Sequence, residues 1–255
     1  MVLLTIENRV ATLTLNRPEK RNALNDEMAK ELLGHLTSLK DNDACKVLII
    51  KANGDSFCAG ADLAYLQKLQ SNSYQDNLLD SQSLMQMFKA LYEFPKITIS
   101  QVDGPAFAGG CGLAGLCDFC FATPEAQFAY TEVKIGFIPA IVSVFLSPKI
   151  GENLAKQMLL TGDVYTALEA KEMRLVNKIV ERGLITIEVL DFAAKLVKTV
   201  SADSIRLTKG LLNDIKGFSI NEQLDMAAKV NAQARGTDDC KKGIAAFINK
   251  EKLSW

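Results

Sequence analysis

An α/β fold followed by a helical C-terminal region is predicted for this chain of 255 residues, and three patterns predict it. Up to about residue 150, short β-rich runs alternate with segments of helical period, as they do where helices connect the strands of a sheet. Two of those runs, Lys46–Ala52 (KVLIIKA) and Ile97–Val102, are too short for helices and too uniformly apolar for strands wet on one face, so they are predicted as strands covered on both sides. From about Gly151 onward the spacing is almost wholly helical.

Leu3–Ile6 and Val10–Leu15 are predicted to pair as a hairpin about Glu7-Asn8-Arg9, after which Asn16-Arg17-Pro18-Glu19-Lys20-Arg21-Asn22 breaks the pattern. Asn25 suits an N-cap, Asp26 and Glu27 suit the positive end of a helix dipole, and Met28, Leu32, Leu33, Leu36 and Leu39 recur at helical spacing, which predicts a helix over 26–40. The loop Asn53–Asp62 opens a helical pattern over 63–69. The polar run Gln70–Asp76 reads as a mobile surface loop before a helix near 77–93, which Pro95 ends. Beyond the strand at 97–102, Phe119–Ala122 and Gln127–Ala129 are short strand candidates. Helices are expected at 152–160, 166–173, 186–200, 203–216, 220–235 and 238–249, with one strand-like run at Leu175–Val180.

Nearly half the residues are apolar, which argues against disorder, and a formal net charge of −1 from intermixed acids and bases lacks the footprint of a nucleic-acid binder. A local basic cluster can still meet an anionic small molecule. Six cysteines (45, 58, 111, 117, 120 and 240) with no signal peptide point to free thiols in a reducing compartment. The opening MVLLTIENRVATLTL alternates like a strand pair, and no apolar run is long enough to cross a bilayer. A cytoplasmic protein without a membrane partner is the expectation.

The chemistry concentrates in Asp103–Glu132, where a strand runs into a glycine cluster and, two short segments later, reaches a glutamate. Gly110-x-Gly112-x-x-Gly115 matches the dinucleotide fingerprint in form. Gly104-Pro105-Ala106-Phe107-Ala108 lies between it and the preceding strand, however, and the fingerprint starts at the strand end. Cys117-x-x-Cys120 has no second CxxC, and the only histidine, His35, sits on a helix, so buried inert thiols are favoured over a metal site and a Ser/His/Asp triad has little support. Glu132 is flanked by Phe128, Tyr130, Val133, Ile135, Phe137 and Ile138, an apolar setting that raises a carboxyl toward the working range of a general acid/base. The glycine-bearing loops Ala59-Gly60-Ala61-Asp62 and Ala108-Gly109-Gly110 each precede a helix. They are either plain strand-to-helix turns or a pair of backbone N–H donors forming an oxyanion hole.

Over essentially its whole length the chain resembles the crotonase superfamily, the enoyl-CoA hydratase/isomerase family. The matching stretches are Asn16-Arg17-Pro18 with Asn22-Ala23-Leu24, Phe57–Leu63, Val102-Asp103-Gly104 with Ala108–Cys111, Cys117-Asp118, Ala126-Gln127-Phe128 with Glu132, Leu160-Thr161-Gly162, and Gly243–Phe247. The resemblance implies a crotonase-like spiral of ββα repeats over 1–195 and a helical trimerisation region over 196–255, giving a homotrimer or a hexamer built as a dimer of trimers. It implies an acyl-CoA thioester substrate whose oxygen is held by the N–H groups of Ala61 and Gly109, with Glu132 as proton carrier. For the coenzyme A portion it implies contacts from Lys20, Ala23, Ala59, Asp62, Phe247 and Lys250. No metal or other cofactor is expected, coenzyme A being part of the substrate.

One position departs from the pattern. Hydratases of this family usually carry a second glutamate, and here its place is taken by Gly112. Two activities then stand: hydration of a 2-enoyl-CoA with Glu132 as both base and acid and a water in the space around Gly112, or isomerisation by Glu132 alone. Thr131–Ala140 resembles methylglutaconyl-CoA-type hydratases, which places hydration of a branched 2-enoyl-CoA first, and a Gly112→Glu change is expected to raise it. A non-catalytic acyl-CoA-binding homologue is the alternative of another class.

Overall fold

The computed structural model describes residues 1–255. β1 (Val2–Glu7) and β2 (Val10–Leu15) form the expected hairpin, with Glu7 opposite Val10, so the loop is Asn8-Arg9 alone. Both loop residues take positive φ, 51° and 65°, the pattern of a two-residue turn that follows the twist of the strands, achieved here without glycine. Asn25 caps α1 (Asp26–Lys40) by accepting from the Met28 N–H. β3 (Val47–Ala52), α2 (Leu63–Leu69) and α3 (Tyr74–Tyr92) follow. The predicted loop over 70–76 is shorter than expected, because Ser73 and Asp76 close a reciprocal capping box that starts α3 at Tyr74.

β4 (Ile97–Val102) is buried at every residue. β5 (Ala106–Phe107), α4 (Gly109–Leu116), β6 (Phe119–Ala122) and β7 (Gln127–Ala129) come next, and a 3₁₀ turn over Thr131–Ile135 carries Glu132. α5 (Ala140–Ile150), α6 (Glu152–Thr161), β8 (Tyr165–Thr166), α7 (Ala167–Glu172) and β9 (Lys178–Ile179) complete the core, β9 being only the end of the run expected over 175–180. α8 (Ile185–Thr199), α9 (Ala202–Asp214), α10 (Ile220–Gly236) and α11 (Asp238–Asn249) close the chain. The division expected at 195/196 falls inside α8, which packs as one helix on the sheet.

Two sheets form, in the orders β1-β2-β3-β4-β6-β9 and β5-β7-β8. In the first, every pairing beyond the β1/β2 hairpin is parallel. One of its faces packs on α1, α3 and α4. The other takes Ile185, Val189, Ala193 and Val197 of α8 against Val47, Ile49, Ile99 and Phe121. With both faces covered, the uniformly apolar β3 and β4 are accounted for. No helix is long and apolar enough to cross a membrane.

Candidate active site

Short hydrogen-bonded segments extend the second sheet into a staircase, and that staircase builds the site. The Leu24 N–H donates to the Gly60 carbonyl (2.6 Å), the Asp62 N–H to the Leu24 carbonyl (2.8 Å), and the Ala59 N–H to the Arg21 carbonyl (3.0 Å). One step on, Cys58 N–H reaches the Pro105 carbonyl (3.1 Å) and Phe107 N–H the Cys58 carbonyl (2.9 Å). The Ala108 N–H then donates to the Ala129 carbonyl (2.8 Å), three residues before Glu132. Segments far apart in sequence, 21–24, 58–62, 105–109 and 127–132, are thereby held edge to edge.

The two glycine-bearing loops touch. Gly60 (φ +93°) has no room for a side chain, since a Cβ there would lie 2.9 Å from the Ala108 Cβ and 3.3 Å from the Phe107 carbonyl oxygen. Ala108 itself takes φ +49°, ψ −123°, a sparsely populated conformation for a residue with a Cβ, and this turn starts α4 at Gly109. A Cβ at Gly109 would lie 3.0 Å from Leu24 Cδ1, and Leu24 is the residue paired with Ala61. The Ala61 and Gly109 N–H groups donate to no acceptor in the chain, and Gly109 stands in the first turn of a helix, where N–H groups and dipole both favour negative charge. Such an arrangement suits an oxygen that gains charge during a reaction.

Glu132 is half-buried, and its Oε2 is buried without a hydrogen-bond partner. Burial pushes its carboxyl above the ordinary value of 4.5, with a hydrogen bond from its own backbone pulling the other way. Its neighbours Tyr130 and Cys111 are buried completely. Burial raises the Tyr130 hydroxyl well above its usual range and pushes the Cys111 thiol up to about 12, and the nearby Glu132 charge adds to both shifts. Of the apolar residues expected around Glu132, Phe128 and Tyr130 are buried while Ile135, Phe137 and Ile138 are exposed; burial nevertheless raises the carboxyl, the direction that suits a general acid/base.

The space expected around Gly112 is filled. A Cβ at Gly112 would lie 2.4 Å from Val142 Cγ1 and 3.2 Å from Phe88 Cε1, both side chains being buried. Beside it remains a cavity of about 10 Å³ bounded by Gly112, Gly115, Leu116, Tyr130, Val142 and Phe145, at the lower limit for a single water. A glutamate at 112 therefore does not fit this structure unaided, and the gain expected from Gly112→Glu is withdrawn.

Among the residues expected along the coenzyme A path, Ala23, Ala59 and Ala61 lie on the paired segments 21–24 and 59–62, and Lys20 is exposed at the end of a 3₁₀ turn, Pro18–Lys20. Asp62 has another task. Its Oδ1 accepts the Ala64 N–H (2.9 Å) as N-cap of α2, its Oδ2 accepts from Arg17 Nη2 (2.9 Å), and the two side chains are 11% and 12% exposed. Both its oxygens are engaged within the protein, so Asp62 also serves as scaffold for the Ala61 loop. Phe247 and Lys250 are exposed at the end of α11, which packs on α9 and α10. His35 is a half-buried residue of α1, and Cys117 and Cys120 are buried thiols. Gly110 lies inside α4 against the Cys58 carbonyl, where a Cβ would come within 2.3 Å, so it serves close packing; the GxGxxG match is fortuitous. No three His, Cys, Asp or Glu side chains are grouped to hold a metal ion.

Sequence reasoning missed the fixings of the site. Asn22, fully buried with positive φ, donates through Nδ2 to the carbonyls of Asn53 and Ser56 (both 2.8 Å) and accepts the Arg17 N–H. Arg17 Nη1 donates to the Ala23 carbonyl (2.8 Å). The polar Asn16–Asn22 run that breaks the strand pattern was the signal for this role, but its partners lie 31 to 45 residues away. The helix α5 and its Val142 were also missed.

Comparison with known proteins agrees with this geometry. The family model for enoyl-CoA hydratase/isomerase matches residues 5–255. A putative enoyl-CoA hydratase of Thermus thermophilus is 42% identical over 96% of both chains, and a crotonyl-CoA hydratase of Syntrophomonas wolfei is 34% identical over 100% of this chain and 97% of its own. The solved structure of an enoyl-CoA hydratase from Shewanella pealeana superposes with a TM-score of 0.94 at 31% identity, covering 100% of this chain and 95% of that one.

Proposed function

The chain belongs to the enoyl-CoA hydratase/isomerase family of the crotonase superfamily, and on that premise we propose that it adds water across the double bond of a 2-enoyl-CoA with Glu132 as its one proton carrier. The observation that carries the proposal is the half-buried Glu132 carboxyl, its Oε2 buried and unpartnered, on the segment whose Ala129 carbonyl anchors Ala108, the residue before Gly109. In its ionised form Glu132 takes a proton from water as the oxygen attacks C3. The electron pair of the double bond moves to the thioester oxygen, where the N–H groups of Ala61 and Gly109 hold the enolate, each contributing about 3 kcal/mol to the barrier lowering. Protonated Glu132 then returns the proton to C2 from the same face, so water has added and the carboxylate is restored. These steps call for no metal or redox group.

A second activity is favoured by the packing at Gly112. With Val142 and Phe88 against that position, Glu132 is also arranged to move a proton between C2 and C4 of a 3-enoyl-CoA, which needs no water. Crotonyl-CoA, a methylglutaconyl-type branched ester and a 3-enoyl-CoA, incubated with wild type and Glu132→Gln while products are separated, decide between them. Hydration lost in Glu132→Gln supports the first activity and isomerisation without hydration supports the second; binding of the esters with neither reaction would leave only a non-catalytic acyl-CoA-binding role. The exposed apolar side chains Phe137, Ile138, Val144, Leu160, Leu168 and Ile248 support a homotrimeric or hexameric assembly, measurable by light scattering on the purified protein.

A further inference from the structure

We infer that Val142, from α5, sets the balance between hydration and isomerisation by occupying the volume that a side chain at position 112 would need; the inference rests on the enoyl-CoA chemistry proposed above. Helices α3, α4 and α5 meet at this point. Gly112 presents no side chain, Val142 Cγ1 stands 2.4 Å from where one would begin, and Phe88 Cε1 closes the other side at 3.2 Å. Val142 and Phe88 are 6% and 1% exposed, so neither can swing into solvent to make room. Tyr130, two residues before Glu132, bounds the same small cavity as Gly112 and Val142, so the filled volume lies next to the segment that bears the proton carrier. Between them Gly112 and Val142 leave a cavity of only about 10 Å³ whose wall is apolar apart from Tyr130, with no second carboxylate to hold a water there.

The geometry says how to undo this. Val142→Ala removes both Cγ atoms but keeps the Cβ, which stands 3.4 Å from the point where a side chain at 112 would begin, an ordinary contact. Phe88 Cε1 at 3.2 Å then has to yield only a few tenths of an ångström. The start of a side chain at position 112 therefore has room in a Val142→Ala background and is blocked in the wild-type background.

Four full-length proteins test the inference: wild type, Val142→Ala, Gly112→Glu and the double variant, each measured for thermal midpoint and for the ratio of crotonyl-CoA hydration to 3-enoyl-CoA isomerisation. Gly112→Glu alone is expected to lower the midpoint and leave the ratio unchanged or reduced. The double variant is expected to recover most of that midpoint loss and to raise the ratio at least tenfold over wild type. A change in ratio separates a specificity role from simple packing, which would scale both rates together. A Gly112→Glu protein with the wild-type midpoint would overturn the steric argument, and a double variant that recovers its midpoint without a change in ratio would overturn the specificity role. A wild type active on neither ester would overturn the functional premise, and the inference with it; that failure shows in the unmutated control, whereas failure of the inference alone shows only in the variants.

Discussion

Replacing Asp62 by Asn tests whether the loop carrying Ala61 is held by an internal ion pair. Asn retains an oxygen for the Ala64 N–H and caps helices as well as Asp does, so the start of α2 is not the perturbed element. What is lost is the acceptor charge for Arg17 Nη2, in a pair only about one-tenth exposed on each side. Removing one partner of a fully buried pair costs about 3–5 kcal/mol; with slight solvent access here and the Arg17 Nη1 bond to the Ala23 carbonyl intact, the lower end, about 3 kcal/mol, is expected. For a chain of this size each kcal/mol moves the midpoint by about 2–4 °C, so differential scanning calorimetry is expected to show a drop of about 6–12 °C. Ala61 is the neighbouring residue, and a donor displaced by even ~1 Å loses up to ~100-fold in rate; kcat should therefore fall at least tenfold while KM for the acyl-CoA changes little. Arg17→Met should cost a similar amount, and the double variant much less than the sum. The reasoning is refuted by an Asp62→Asn protein with unchanged midpoint and kcat but a raised KM, the pattern of a residue that contacts coenzyme A.

Glu132→Gln should reduce turnover by about 10²–10⁴-fold. The raised Glu132 pKa means that burial favours its protonated form, so its stability contribution is full below pH 4.5 and is lost as pH rises through the folded value; Glu132→Gln should match wild type in midpoint below pH 4.5 and exceed it at neutral pH, with equal midpoints at neutral pH counting against burial of the carboxyl. The acidic limb of the wild-type kcat/KM profile should likewise lie above 4.5. Lys209 Nζ bonds Asp118 Oδ2 (2.6 Å), which also accepts the Thr98 N–H (2.8 Å), pinning α9 to the core; Lys209→Met should cost about 1–3 kcal/mol and open the C-terminal helices to limited proteolysis. Of six thiols five are buried and Cys240 is half-buried, so a maleimide added to the native protein should label one site quickly, as read by intact mass, and fast labelling of a second would mean the core opens.

The parts of the fold that were legible in the sequence are those fixed by neighbours within a few residues. Asn25 with the leucine stripe of α1, and the unbroken apolar runs of β3 and β4, needed no distant partner to be recognised. Ser73 and Asp76 also wrote their capping box locally, but the surrounding polar run Gln70–Asp76 hid it. α5 was hidden differently: Ile141, Val142 and Val144 disfavour helix, Pro148 removes one backbone donor, and apolar residues on every side blur the period. Its stability comes from packing on α3, α4 and α6, which sequence spacing does not display. Asp62 shows the same limit at the site itself, since a carboxylate beside an oxyanion loop looks available until Arg17, 45 residues earlier, is seen to hold it.

The site's geometry rests on a strained residue that the fold holds from three directions. Ala108 at φ +49° costs on the order of 1–3 kcal/mol, and a glycine there would relieve that strain while giving the turn more freedom. Alanine is tolerated because its N–H is fixed to the Ala129 carbonyl at 2.8 Å, its carbonyl accepts the Gly112 N–H at 3.0 Å, and its Cβ lies against Gly60, which for that reason can carry no side chain. The strained turn on one loop and the obligatory glycine on the other are thus one contact seen from two sides. Ala61 and Gly109 follow directly after the two partners in that contact, so a shift in either loop moves the other's N–H. Glu132 joins the same unit through Ala129. Proton carrier and oxyanion donors are therefore aligned by the backbone of the staircase, which leaves side chains such as Val142 free to vary what the aligned groups can do.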